Sequence, residues 1–82
     1  MNQTEVITRL QPIFDDLFMD KVDLTPELSA DQVEEWTSIM QISLLIAVEK
    51  EFQIRFPVGE VEGTRNVGEF ADLIARRVAG RG

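Results

Sequence analysis

Apolar residues recur along this chain at helical spacing in three stretches, and they alternate only weakly between residues 54 and 65. The middle stretch, Trp36 to Phe52, organises the rest. At about 100° per residue its apolar side chains fall into two stripes. Leu44, Leu45, Val48 and Phe52 lie on one side, while Ile39, Ile42 and Ile46 lie on the other, close to the line of Ser38. A surface helix of a small domain needs only the first stripe. The second is either covered by other helices of a bundle or turned to a partner or bound group, and the pattern favours neither. Ser38 is the expected N-cap, because its oxygen can accept from a free N–H of the first turn. Gln41 then completes an S-x-x-Q capping box. The helix is expected to end near Phe52–Gln53, before the Phe56–Pro57 step.

Residues 3–19 carry Val6, Ile7, Leu10, Ile13, Phe14, Leu17 and Phe18 at the spacing of one helix. Pro12 removes the bond to the Thr8 carbonyl, so the expectation is one helix bent near Pro12. Residues 20–37 form a long connection. Leu24, Leu28 and Val33 are spaced too irregularly for a strand and are expected to anchor it to the helices; Asp31 with Glu34 is expected to cap a single turn. A loop of this length in a small domain is often functional, and this one leads directly to Ser38. A tight turn and one short helix around Val58–Glu62 come next. Asn66, with Glu69 three residues on, opens a last helix. Val67, Phe70, Leu73, Ile74 and Val78 form its buried stripe, and Gly80 is its expected stop. The fold class read from this order is all-α, a small four-helix bundle with three main helices and one short one, in a single domain spanning residues 1–82.

Composition narrows the chemistry. Eighty-two residues without histidine or cysteine lack the commonest general base, the commonest metal ligand and any thiolate. No glycine-rich nucleophile elbow, phosphate loop or dinucleotide fingerprint is present. The acidic run Asp15, Asp16, Asp20 and Asp23 lacks the spacing of a calcium loop and reads as a solvated face. Neither catalytic nor metal-binding residues are therefore expected. The net charge is −7, with acids dominating residues 15–51 and arginines gathered in the last third. Nucleic acid and anionic lipid should repel such a chain, while basic protein surfaces should attract it. No signal peptide or membrane-spanning run is evident, so a cytoplasmic monomer is expected.

What remains is Ser38, at the start of the central helix and the end of the long loop. It is either only a cap or a hydroxyl placed for modification by another enzyme. A phosphate attached there would meet free N–H groups and the positive end of the helix dipole.

At this point the sequence resembles an acyl carrier protein. Carriers open their second helix with Asp-Ser-Leu and follow it with an apolar helix ending in acids and phenylalanine. Here Thr37-Ser38-Ile39 precedes MQISLLIAVEKEF. VDLTPELSADQVEEW upstream, and QIRFP and NVGEFADLI downstream, extend the likeness over nearly the whole chain. Trp36 resembles a subgroup of stand-alone bacterial carriers that read Trp-Asp-Ser-Leu. The resemblance implies a 4′-phosphopantetheine arm on Ser38, installed by a phosphopantetheinyl transferase, with an acyl or aminoacyl cargo held as a thioester on the arm's sulfur. It implies loading ligases, synthases or transferases of a fatty-acid, polyketide or other specialised pathway as partners, and no catalysis by the chain itself. It also implies a partner-facing role for Ile39, Ile42 and Ile46, steering by Glu34, Glu35 and Glu49, and transferase recognition at Thr37, where the family has aspartate. Met40, Gln41 and Ser43 stand where many fatty-acid carriers have acids, which suggests different clients. Glu35 and Trp36 replace the double glycine of peptidyl carriers, and the turn at 56–60 resembles aminoacyl carriers of the D-alanyl type. The alternative is an unmodified helical interaction module in which Ser38 is only a cap.

Overall fold

A computed structural model describes residues 1–57 and 59–81. Three 15-residue helices, α1 (Gln3–Leu17), α2 (Ser38–Phe52) and α3 (Val67–Arg81), are joined by loops carrying single 3-10 turns at Ala30–Gln32 and Val61–Gly63. No strand occurs among the described residues. The fourth helix of the expected bundle is thus one 3-10 turn, Val61–Gly63; Val58, where it was expected to begin, lies outside the described residues.

Helix α1 packs against both α2 and α3. It runs unbroken past Pro12, whose ring is exposed, and stops at Leu17. Its start is set by Asn2, whose Oδ1 accepts from the Glu5 N–H at 2.8 Å, while the Glu5 carboxylate accepts from the Asn2 N–H in return. Val6, Leu10 and Phe14 of α1 meet Leu44, Val48 and Phe52 of α2 and Phe70, Ala71, Leu73 and Ile74 of α3 in one core. The side of α2 first expected to be buried is buried: Leu44, Val48 and Phe52 are at most 1% exposed, and Leu45 packs partly against the core. Arg9 ties α1 to the end of α2, 2.7 Å from the Glu51 carboxylate and with its guanidinium 4.7 Å from the Phe52 ring centre.

The long loop is held at several points. Leu24, Leu28 and Val33 pack on the core as expected, and Val22 joins it. The carbonyls of Leu28 and Pro26 accept from the N–H groups of Val67 and Gly68, at 2.8 and 2.9 Å, two donors that the start of α3 would otherwise leave free. This seam is tight at Gly68: a Cβ there would lie 3.0 Å from the Pro26 oxygen, and the loop backbone would have to give way to admit it. The 3-10 turn is not closed by Asp31 and Glu34. Instead Gln32 Oε1 accepts from the Ser29 N–H at 2.9 Å, because glutamine reaches back to the residue that precedes the turn. At the far end Asn66 caps α3 as expected, accepting from the Glu69 N–H at 2.8 Å. Gly80 does not stop the helix, which continues to Arg81.

Candidate functional site

The approach to Ser38 is built by its neighbours on the chain. The Glu35 carboxylate accepts from the N–H groups of Met19 and Asp20, at 3.1 and 2.9 Å, and so fastens the loop to the segment just after α1. These bonds from Asp20 and then Met19 stabilise the charged form and hold the Glu35 carboxyl below its ordinary value. Trp36 sits edge-on to Phe14 and Phe18, with ring centres 5.1 and 6.1 Å away. Its indole N–H donates to Gln41 Oε1 at 2.5 Å.

The cap of α2 is Thr37, not Ser38. Thr37 has extended backbone geometry, and its Oγ1 accepts from the Met40 N–H at 3.2 Å while its carbonyl accepts from Gln41. Ser38 is therefore the first residue inside the helix. The expected Ser38–Gln41 box does not form, since the Gln41 side chain is taken by Trp36. Two adjacent hydroxyl residues offered two registers one residue apart. The glutamine three residues after Ser38 pointed to the wrong one.

This shift frees the serine. Ser38 is exposed, and among the described residues its hydroxyl makes no hydrogen bond. The N–H groups of Ser38 and Ile39 also have no partner there, whereas those of Met40 and Gln41 are used by Thr37. A phosphate ester on Ser38 would meet these donors and the positive end of α2. The residues present thus fit a phosphate-linked prosthetic group: an unengaged hydroxyl, unused donors and open solvent.

Beside Ser38 the second stripe of α2 is uncovered. Ile39, Ile42 and Ile46 are 79%, 61% and 54% exposed, so the neighbouring helices do not bury them. Single exposed aliphatics are ordinary, but a row of three along one helix is an apolar patch. The three glutamates differ. Glu34 is exposed, whereas Glu35 is bound to the loop and Glu49 accepts from the Phe56 N–H at 3.0 Å. The sequence did not reveal that two of the three carboxylates are engaged within the chain.

No family model matches the chain. An acyl carrier protein from Thermosynechococcus vestitus is 31% identical over 80 residues, which cover 96% of this chain and 99% of that protein. One from Acidothermus cellulolyticus is 28% identical over 76 residues, 92% of this chain and 90% of the relative. The solution NMR structure of the holo acyl carrier protein from Geobacter metallireducens superposes with a TM-score of 0.83 at 35% identity, covering 90% of this chain and 86% of that one. In length, helix order and sequence the chain belongs to the acyl carrier proteins, a family of non-catalytic carriers.

Proposed function

We propose that residues 1–82 form one carrier domain with a 4′-phosphopantetheine arm on Ser38. When bound, the arm supplies the thiol on which an acyl or aminoacyl cargo rides as a thioester. The chain supplies the rest. Thr37 closes the helix start so that the Ser38 hydroxyl stays available, and the first-turn donors of Ser38 and Ile39 stabilise the phosphate. Ile39, Ile42 and Ile46 give clients an apolar surface, with Glu34, Glu35 and Glu49 contributing negative charge that steers basic partners to it. Those partners are a phosphopantetheinyl transferase and the loading and synthase enzymes of a fatty-acid, polyketide or other specialised pathway. The observation that carries this reading is the exposed, unbonded hydroxyl at the first position of α2. The competing reading, an unmodified interaction module, would have to do without Ser38 as its cap, because Thr37 does the capping.

Intact mass after co-expression with a broad-range phosphopantetheinyl transferase tests the proposal. The expected result is a gain of one phosphopantetheine group, lost in Ser38→Ala. An unchanged mass with every competent transferase tried would return the chain to the interaction-module reading.

A further inference from the structure

Lys50, Arg55 and Arg77 gather around the end of α2 that lies away from Ser38, cations in an otherwise acidic molecule. An open groove of about 640 Å³ runs past Ile46, Glu49, Lys50, Gln53, Ile54 and Arg55. A smaller recess of about 90 Å³ shares Ile54 and Arg55 with it and reaches Arg77. Arg77 Nε donates to the Arg55 carbonyl at 3.1 Å, which ties the Arg77 side chain to the backbone at Arg55. Among the described residues the ion pairs are Arg9–Glu51 and Lys21–Asp15, so Lys50, Arg55 and Arg77 form none. Of the carboxylates on this end of α2, Glu51 is paired with Arg9, while Glu49 accepts from the Phe56 N–H and keeps its charge, leaving the three cations in excess. Helix-dipole compensation explains cations in the last turns of α2 and α3. It does not explain Arg55, which stands outside any helix and is exposed beside the buried Ile54.

We propose that this groove is a second docking surface, which receives a short acidic segment of a partner protein carrying at least one apolar side chain. Lys50, Arg55 and Arg77 meet the carboxylates, and Ile46 and Ile54 seat the apolar group. The occupant follows from the charge distribution. With a net charge of −7, most of the surface repels an extended polyanion or an anionic membrane. Screening over about 8 Å at physiological salt lets a short segment respond to the local cations alone. The groove shares Ile46 and Glu49 with the client-facing side of α2, but its cations do not belong to that side, and the proposal holds whether or not Ser38 is modified.

The test is an amide-resolved NMR titration of the Ser38→Ala chain. The probes are a synthetic decapeptide alternating glutamate and leucine, the same peptide with lysine for glutamate, and phosphatidylglycerol vesicles. The expected result is saturable shifts confined to residues 46–55 and 77–80 with the acidic peptide alone, and binding weakened about tenfold or more, at least ~1.4 kcal/mol, in K50E/R55E. Neither of those side chains makes a hydrogen bond or ion pair among the described residues, so that variant should fold; its amide spectrum checks this, and Arg55→Gln serves as the milder variant. Overturning results are no saturable shift, equal binding of the lysine peptide, shifts centred elsewhere, or a response to vesicles in place of the peptide.

Discussion

The divide between Thr37 and Ser38 carries the argument at the scale of single residues. Two neighbouring hydroxyls do different work because only one has the extended backbone of a cap. Thr37→Ala is expected to cost about 1 kcal/mol in urea unfolding, and Ser38→Ala only a few tenths. Equal losses would contradict the assignment. Glu35 gives a second test. Its folded carboxyl titrates below the ordinary value of 4.5, so its contribution to stability is fully present above that value and is lost as pH falls through the lower folded one. The stability gap between the wild type and Glu35→Gln should therefore be widest above pH 4.5 and narrow on acidification; a gap that ignores pH would remove the bonds to Met19 and Asp20. At this scale the sequence was only partly legible. That a hydroxyl capped α2 was readable, but which one was not, because both have cap chemistry and the choice rests on where Gln41 points. The inward turn of Glu35 had no local signal, since its donors lie 15 and 16 residues away.

At the scale of elements, periodicity placed all three helices, because each buries a stripe that the 3.6-residue repeat makes visible. It also separated the two sides of α2 without saying what became of the second. Leu44→Ala is expected to cost 2–5 kcal/mol, as burial at 0% exposure implies, while Ile42→Ala at 61% exposure should stay within about 0.5 kcal/mol. Comparable losses in thermal unfolding would show that the stripe is packed after all. The seam between the long loop and α3 is where the sequence was least informative. Gly68 looks like a weak point inside a helix, where alanine should gain about 1 kcal/mol. Its contact with Pro26 reverses the sign, and Gly68→Ala should destabilise by about 1–3 kcal/mol. A rise in unfolding temperature would mean the loop yields without cost. Gly80 misled in the other direction: glycine permits a helix to end but does not require it, and α3 continues to Arg81.

The whole molecule is a small bundle whose interior is settled by its own helices and whose serine and isoleucine stripe on α2 are left exposed. The absence of histidine and cysteine from the sequence and the exposed serine belong together, because a carrier leaves the chemistry to a borrowed group and to its clients. Fold and family were legible because the helical pattern and the order of motifs run through nearly the whole chain. The cluster of cations beyond α2 was not, since it depends on Arg77 reaching the Arg55 carbonyl across 22 residues. The central claim is that one hydroxyl, that of Ser38, bears the arm. Fragmentation mass spectrometry of the transferase-treated protein reads this directly, because the fragment series separates Thr37, Ser38 and Ser43. The account predicts one phosphopantetheine group, on Ser38 alone. A group found on Thr37 or Ser43, or on no residue of the chain, would contradict it.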